Sequence, residues 1–305
     1  MAVERIARIS LTTANAVGMA AFYSEALGFE PIAVEPQRES GLGSQLERGD
    51  VTARARAVRL GKETVELVEF SRPGHPYPAE RSSNDRLFQH MAIVVADMHA
   101  AYRTLSACDG WTPISAAPQL LPRSSGGARA FKFRDPEGHP LELLQFPTGS
   151  RPAWSAGAAD RPFLGIDHSA IVVTDTARSI AFYELLGFSV SYRSLNQGPE
   201  QGRLDGLPGA IVEVTGLAPR GSAPPHLELL CYRAPPPRST QLPAPATNDV
   251  AAVRLVMEVD DLARTIEEVV TAERYSAADA GHAGSESALV RDPDGHALLL
   301  RAPLA

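Results

Sequence analysis

Cysteines, aromatic residues and long apolar runs are scarce in this chain of 305 residues. The two cysteines, Cys108 and Cys231, lie far apart and form no CxxC pair, which argues against a disulfide framework. A reducing compartment, and hence a cytoplasmic location, is the expectation. No apolar run is long enough to span a bilayer, and residues 1–8 lack the apolar core of a signal peptide.

The chain also has little positive charge relative to negative charge. Its formal net charge is −7, and the basic residues form no cluster. This balance argues against binding to nucleic acid or to an anionic membrane surface. The remaining composition, 44% hydrophobic and 21% charged, is typical of a globular protein with room for two domains. We therefore expect a small-molecule substrate or ligand.

An internal repeat organises the sequence. Residues 9–29 and 169–188 each contain a β-branched run, then Ala-Phe-Tyr, then Leu-Gly-Phe. The sequence Asp-Pro-x-Gly-His also occurs twice, at 135–139 and at 292–296. These matches indicate a tandem duplication. The predicted domains are 1–148 and 164–305, joined by a turn-rich linker over 149–163.

Each half divides again into two modules. The segments that begin at His90 and at Arg254 repeat the pattern of a buried strand followed by an acidic residue. An Asn or Asp at that point is a typical helix N-cap, and the predicted caps are Asn15, Asp97, Asp175 and Asp261. The sequence therefore predicts an α+β fold of four βαβββ modules, at 5–80, 86–148, 164–236 and 250–303.

These motifs resemble the vicinal-oxygen-chelate superfamily, which includes glyoxalases, bleomycin-resistance proteins and extradiol dioxygenases. The resemblance implies that paired modules form two cup-shaped mixed sheets with helices outside. It also implies that metal ligands lie on the first and last strands of each module. Fused glyoxalase I enzymes pair their inner modules with each other and their outer modules with each other. If this chain does the same, one cup contains His90, Glu142, His168 and Glu228, and the other contains Arg8, Glu66, Arg254 and Leu298.

The inner set resembles a site for one divalent ion of Fe, Ni, Co, Mn or Zn, with Glu142 and Glu228 also serving as catalytic carboxylates. A structural interpretation stands beside this one, because a strand histidine often serves packing and a strand glutamate often faces solvent. We expect Arg8 and Glu66 to form an ion pair, or the two outer arginines to hold an anion. His139 and His296 are expected to stabilise their turns.

The predicted function is that of a metal-dependent, glyoxalase-I-like isomerase or lyase acting on a small oxygen-chelating carbonyl compound. The alternatives are an iron-dependent ring-cleaving dioxygenase and a metal-free binding or resistance protein. The polar segment 196–203, expected as a loop near the cup, offers Glu200, Gln201 and Arg203 as substrate contacts. The chain is expected to be a monomer or a homodimer.

Overall fold

Two mixed β-sheets and five helices make up the computed structural model, which describes residues 3–33, 51–150, 161–221, 223–237, 244–271 and 287–303. The strands are β1 (Val3–Thr13), β2 (Glu30–Ile32), β3 (Ala53–Leu60), β4 (Glu63–Phe70), β5 (Gln89–Val95), β6 (Thr112–Pro113), β7 (Gln119–Leu120), β8 (Arg129–Arg134), β9 (Pro140–Gln145), β10 (Phe163–Val172), β11 (Ser189–Gln197), β12 (Ile211–Ala218), β13 (His226–Ala234), β14 (Val253–Val259), β15 (Ser287–Arg291) and β16 (Ala297–Arg301). The helices are α1 (Ala16–Leu27), α2 (Met98–Ser106), α3 (Thr176–Leu185), α4 (Pro199–Leu204) and α5 (Leu262–Thr271), with a short 3₁₀ helix at Arg123–Ser125.

The sheets pair the modules as the resemblance implied, inner with inner and outer with outer. The seven-stranded sheet has the order β15-β16-β14-β1-β4-β3-β2, and β1 joins the first module to the fourth by antiparallel pairing with β14. The nine-stranded sheet has the order β11-β12-β13-β10-β5-β9-β8-β6, with β7 paired to β8. Each half of the sequence therefore contributes one module to each sheet. Residues 151–160 of the predicted linker lie outside the described residues.

The predicted N-caps begin four of the five described helices. Asn15, Asp97, Asp175 and Asp261 each accept a hydrogen bond from the backbone N–H three residues later, at 2.7–3.0 Å. Such caps satisfy N–H groups that have no partner inside the helix. Helix α1 ends at Gly28, whose φ of 71° is left-handed and favours glycine.

The repeated Asp-Pro-x-Gly-His turns connect modules rather than only reversing the chain. Asp135 Oδ1 accepts hydrogen bonds from three backbone N–H groups of its own turn, at 2.8–3.0 Å. Its Oδ2 accepts from Tyr23 Oη of α1 at 3.2 Å and lies 2.8 Å from His139 Nδ1. The turn of the second module is thereby attached to the helix of the first. In the other half, Tyr183 donates to Asp292 in the same way, at 3.1 Å.

The histidines of these turns reach the neighbouring sheet. His139 Nε2 lies 3.0 Å from the carbonyl oxygen of Thr12, near the end of β1, and 3.1 Å from that of Val250, in the turn before β14. Burial lowers the pKa of His139, but the Asp135 carboxylate outweighs that effect and the pKa is raised. His296 Nε2 lies 2.8 Å from the carbonyl oxygen of Val172 in β10. Both histidines therefore have the structural role that the sequence indicated.

A large apolar core draws on both sheets and on the helices. It includes Ile9 and Leu67 from the seven-stranded sheet and Ile93 and Leu143 from the nine-stranded sheet. These side chains alternate along each strand with those that face the cups, as strand geometry requires. None of the helices in the described ranges has both the length and the apolar character that a bilayer crossing needs.

Replacing Asp135 with Ala should destabilise the whole chain, because it leaves several buried donors without an acceptor. Each buried unsatisfied group costs about 1–3 kcal/mol, so we expect the free energy of unfolding to fall by about 3–5 kcal/mol. Urea denaturation monitored by circular dichroism measures this loss. The matched control is Asp97→Ala, which removes an exposed cap and should cost about 1 kcal/mol. Equal losses in the two variants would contradict a joining role for the turn.

Candidate active site

Strands β5 and β10 lie antiparallel at the centre of the nine-stranded sheet and place two histidines on its concave face. His90 stands opposite Ala170, and His168 stands opposite Ala92. Each alanine in turn stands opposite a glutamate on the next, parallel strand. The two rows across the sheet are His90–Ala170–Glu228 and His168–Ala92–Glu142. The rows are related by an approximate two-fold axis between β5 and β10.

The four predicted ligand residues converge on one buried region. His90 Nε2 lies 3.0 Å from Glu142 Oε2, and the two imidazole rings are 5.7 Å apart between centroids. His168 Nε2 lies 3.3 Å from Glu228 Oε2 and 3.8 Å from Glu142 Oε2. Ligand atoms of His90, Glu142 and His168 all lie within 4.8 Å of one another. Glu228 stands beside this group of three, against His168.

The charges of the group are strongly coupled. Burial, followed by the positive charge of Lys132, lowers the pKa of His90 to about 4. Burial raises the pKa of Glu142, but Lys132 and His90 outweigh it and lower that pKa to about 2. Burial lowers the pKa of His168, but Glu228, Asp167 and Glu142 raise it to about 9. At neutral pH the site therefore consists of one neutral imidazole, one imidazolium and an ionised Glu142.

Two further groups support the ligands, and the sequence analysis missed both. Asp167 Oδ2 lies 3.1 Å from His168 Nδ1 and orients that ring, as carboxylates commonly do behind a metal-binding histidine. Lys132 stands opposite Glu142 on β8, and its Nζ lies 2.7 Å from Asp205 Oδ1, with both residues buried. Side chains two residues apart on a strand lie on the same face. Lys132 follows Ala130 by two residues on β8, so this alternation could have placed the Lys132 side chain on the face that Ala130 shares with the cavity residue Leu144. Asp205 lies in a turn with no such signal.

A cavity of about 380 Å³ opens over these residues. Glu142 lines it with Leu144, and Glu228 lines it with Leu230, as the alternation of β9 and β13 predicted. Its volume falls in the range that small-molecule sites occupy. A second cavity, of about 700 Å³, lies at the ends of β1, β3 and β10 and has none of the predicted ligands along its walls. The smaller cavity is therefore the candidate active site.

The segment expected as a loop with substrate contacts is instead the end of β11 followed by helix α4. Gly198 precedes this helix, and Pro199 at its first position suits the helical backbone. Of the three predicted contacts, only Gln201 is among the residues that line the cavity. Its side chain donates to Asp205 Oδ2 at 2.7 Å. Glu200 and Arg203 pair with each other at 3.4 Å on the outer side of the helix.

The outer cup has different chemistry. Arg8 Nε lies 3.3 Å from Glu66 Oε2, and both side chains are buried, so the predicted ion pair is present. Arg254 Nη1 donates to Thr12 Oγ1 at 3.1 Å. Burial lowers the pKa of Arg254 to about 10, against the opposing effect of Glu66. A cation already fills the place that a metal ion would take.

One register assignment in the outer cup was wrong. Leu298 was expected at the position that corresponds to Glu142. Val256 on β14 stands opposite Leu299, as Ala92 stands opposite Glu142, so Leu299 is the corresponding residue. Leu299 belongs to the small apolar cluster of the outer cup, whereas Leu298 faces the main core. A shift of one residue moves a strand side chain to the other face of the sheet.

A family model described as Glyoxalase/Bleomycin resistance protein/Dioxygenase superfamily matches residues 5–143 and 165–300. The chain belongs to this superfamily. The two matched ranges correspond to the two halves of the tandem duplication. Members of the superfamily commonly bind a divalent metal ion. No curated protein sequence matches the chain significantly.

Solved structures share the fold at low sequence identity. Glyoxalase I from Zea mays has a TM-score of 0.61 and 18% identity, over 98% of this chain and 92% of that one. A mutant of the same maize enzyme, in which one glutamate is replaced by glutamine, has a TM-score of 0.59 and 17% identity, over 98% and 93%. A protein from Bacillus subtilis subsp. subtilis str. 168, provisionally named a dioxygenase, has a TM-score of 0.58 and 11% identity, over 99% and 86%. At these identities the superfamily's fold is shared, and the reaction has to be argued from the site.

The buried pair of Lys132 and Asp205 gives a test of how this site is supported. Lys132→Met leaves the Asp205 carboxylate buried without its cation, so we expect a loss of about 3–5 kcal/mol in the free energy of unfolding. Adding Asp205→Asn should restore much of that loss, because it removes the uncompensated charge. As a control, Arg203→Met breaks an exposed pair and should cost under about 1 kcal/mol. Chemical denaturation of the four proteins decides the point, and a double variant no more stable than Lys132→Met would contradict it.

Proposed function

We propose that this chain is a metal-dependent enzyme that transfers a proton beside a carbonyl group of a small oxygen-chelating substrate, as a glyoxalase-I-like isomerase or lyase does. The observation that carries the proposal is the pair of His/Glu rows, related by an approximate two-fold axis, that meet in one buried cavity. Buried carboxylates are costly without a cation, and imidazole with carboxylate suits divalent ions of intermediate softness.

The residues present fit such an ion. Within the described residues, His168 Nε2 makes no hydrogen bond, although two carboxylate oxygens lie within 3.8 Å of it. A buried ring nitrogen that faces two carboxylate oxygens without a hydrogen bond is suited to bind a metal ion, whereas His90 Nε2 and Glu142 Oε2 are hydrogen-bonded to each other. His90, Glu142 and His168 would hold the ion, with Glu228 adjacent. When bound, Fe, Ni, Co, Mn or Zn would act as a Lewis acid on a substrate oxygen and acidify the neighbouring C–H.

The protein's own residues would supply the remaining steps. Glu142 or Glu228 would accept the proton from the substrate carbon and return it to the adjacent carbon, as a general base and then a general acid. Asp167 would keep His168 in the required orientation. The apolar walls, including Leu144 and Leu230, would limit access of water to the reacting carbon. Of the three substrate contacts predicted from the sequence, only Gln201 lines the cavity, where it would contact a substrate.

A second candidate function is supported by a specific observation. His90, Glu142 and His168 form a set of two histidines and one carboxylate, which is the set that non-haem iron oxygenases use. This set lies in the inner cup and draws ligands from both halves of the chain. If Glu228 does not bind the ion, positions remain for a chelating substrate and O2. An iron-dependent ring-cleaving dioxygenase is therefore the alternative.

Metal content tests the shared site directly. His90→Ala and His168→Ala should each lose most of the bound metal, although the two residues are far apart in sequence, because both contribute to one site. Mass spectrometry of the metals in purified protein gives the stoichiometry. His75→Ala, which changes an exposed histidine, and Glu66→Gln, in the outer cup, should keep the wild-type content. A full equivalent of tightly held metal in His90→Ala would refute the site, and metal-free wild-type protein would favour a binding protein.

The reaction class can be tested with hydroxyacetone, a minimal chelating ketone with hydrogens beside its carbonyl. In D2O the metal-loaded protein should exchange those hydrogens, observed by proton NMR, without consuming O2. Glu142→Gln and Glu228→Gln should lower turnover by about 10²–10⁴-fold at saturating metal, which is the usual loss when a general base is removed. Glu213→Gln, outside the cavity, is the control. O2 uptake with a catechol, stoichiometric with product and dependent on ferrous iron, would transfer the assignment to the dioxygenase.

A further inference from the structure

The approximate two-fold symmetry of the site fails at one position beside each glutamate. On β8, Lys132 stands opposite Glu142. On β12, Gly216 stands opposite Glu228. One carboxylate therefore has a buried cation as its cross-strand neighbour, and the other has no side chain there at all. The two rows of ligand residues therefore have different neighbours, Lys132 beside Glu142 and Gly216 beside Glu228.

The place left open by Gly216 is occupied by a side chain from the next strand. Tyr192 on β11 stands opposite Gly216 on its other side, so Tyr192, Gly216 and Glu228 form one row across three strands. A Cβ added at Gly216 would overlap the Tyr192 ring. Glycine is thus required here for close approach, since the ring lies across the strand and its hydroxyl donates a hydrogen bond to Glu228 Oε1.

The two supports leave the glutamates in different surroundings. Glu142 Oε2 lies 3.0 Å from His90 Nε2, its side chain is 8% exposed, and the buried Lys132 stands opposite it on β8. Glu228 is 15% exposed and stands outside the group of three whose ligand atoms lie within 4.8 Å. Glu142 thus contacts an imidazole and has a buried lysine as its cross-strand neighbour. Glu228 instead accepts a hydrogen bond from the hydroxyl of Tyr192 on the cavity wall.

We propose that Tyr192 is a positioning residue for Glu228, and that this arrangement makes Glu228 the proton-transferring carboxylate while Glu142 remains a constant ligand. The inference rests on the proposed function and assigns separate roles to two glutamates that the sequence leaves equivalent. Glu228 forms an O–H bond as the substrate C–H bond breaks, and the reverse transfer restores the carboxylate. Tyr192 keeps its own proton throughout and acts only by holding Glu228 Oε1.

Cobalt binding tests the division of roles without any substrate. Titration of metal-free protein with Co2+, followed by visible absorption, gives the affinity and a spectrum that depends on coordination number. Tyr192→Phe and Glu228→Gln should keep one equivalent of Co2+ with less than about threefold loss of affinity. Glu142→Gln should lose about 10–100-fold or more, because it removes a ligand. If Glu228→Gln weakened Co2+ binding as much as Glu142→Gln, Glu228 would be a constant ligand and the inference would be wrong.

Exchange kinetics with hydroxyacetone test the positioning role. Tyr192→Phe removes one hydroxyl, and the loss of a hydrogen bond to a charged group should lower kcat by about 10–100-fold with KM within about threefold. Gly216→Ala should give the same change, because the added methyl displaces the ring. The control is Ser189→Ala, an exposed residue on the same strand that lies outside the cavity lining. A wild-type kcat in Tyr192→Phe would overturn the proposal.

Failure of this inference differs from failure of the proposed function. Wild-type protein that binds no Co2+, or that consumes O2 instead of exchanging hydrogen, contradicts the proposed function. Wild-type protein that exchanges hydrogen, while Tyr192→Phe and Glu228→Gln exchange it as fast as Ser189→Ala does, contradicts the inference alone. If the chain proves to be a dioxygenase, the cobalt titration still decides whether Glu228 is a ligand.

Discussion

Antiparallel pairing of β5 with β10 is the constraint on which the candidate site depends. This pairing sets His90 opposite Ala170 and His168 opposite Ala92, and the small alanines leave room for both imidazoles on the concave face. A slip of one residue in either strand would turn that strand's histidine into the apolar core and bring Ile93 or Ile171 to the cup. Apolar side chains on the core face therefore fix the register that the polar face uses.

The same pairing makes the two halves of the sequence depend on each other. Each sheet takes one module from each half, while the Tyr23–Asp135 and Tyr183–Asp292 hydrogen bonds hold together the two modules of one half. Sheet pairing thus links modules from different halves, and the tyrosine–aspartate hydrogen bonds link the two modules within each half. His139 adds a contact between the turn of the second module and the end of β1 in the seven-stranded sheet. Neither cup can form from one half alone.

The two cups show how the same backbone supports opposite charge arrangements. In the inner cup, carboxylates and imidazoles converge, and Glu228, Asp167 and Glu142 raise the pKa of His168 against the effect of burial. In the outer cup, the Arg8 side chain supplies the positive charge and forms an ion pair with Glu66. The aliphatic Leu299 stands where the inner cup has Glu142. The two cups share one backbone arrangement, and among the described residues only the inner cup groups the histidines and the carboxylate proposed as metal ligands.

Much of the fold, and the grouping of His90, Glu142 and His168, could be predicted from the sequence, because they depend on local and repeated signals. The duplication, the four caps and the resemblance together indicated the module pairing and the set of His90, Glu142, His168 and Glu228. The segment at 196–203 was harder, since a short helix that begins with Pro199 has the same polar composition as a loop. Strand register was also a weak point, as the change from Leu298 to Leu299 shows.

The sequence by itself determined which residues could bind an ion, because residue type and strand position are written in it. Only the tertiary structure decided that the two glutamates differ. Lys132 approaches Glu142 from β8, and Tyr192 reaches Glu228 across Gly216, through cross-strand contacts between residues 10 to 36 positions apart. The burial of Asp205 beside Lys132 likewise arises from distant segments. Such contacts depend on how strands are ordered and aligned in a sheet, and no local pattern in the chain encodes that order.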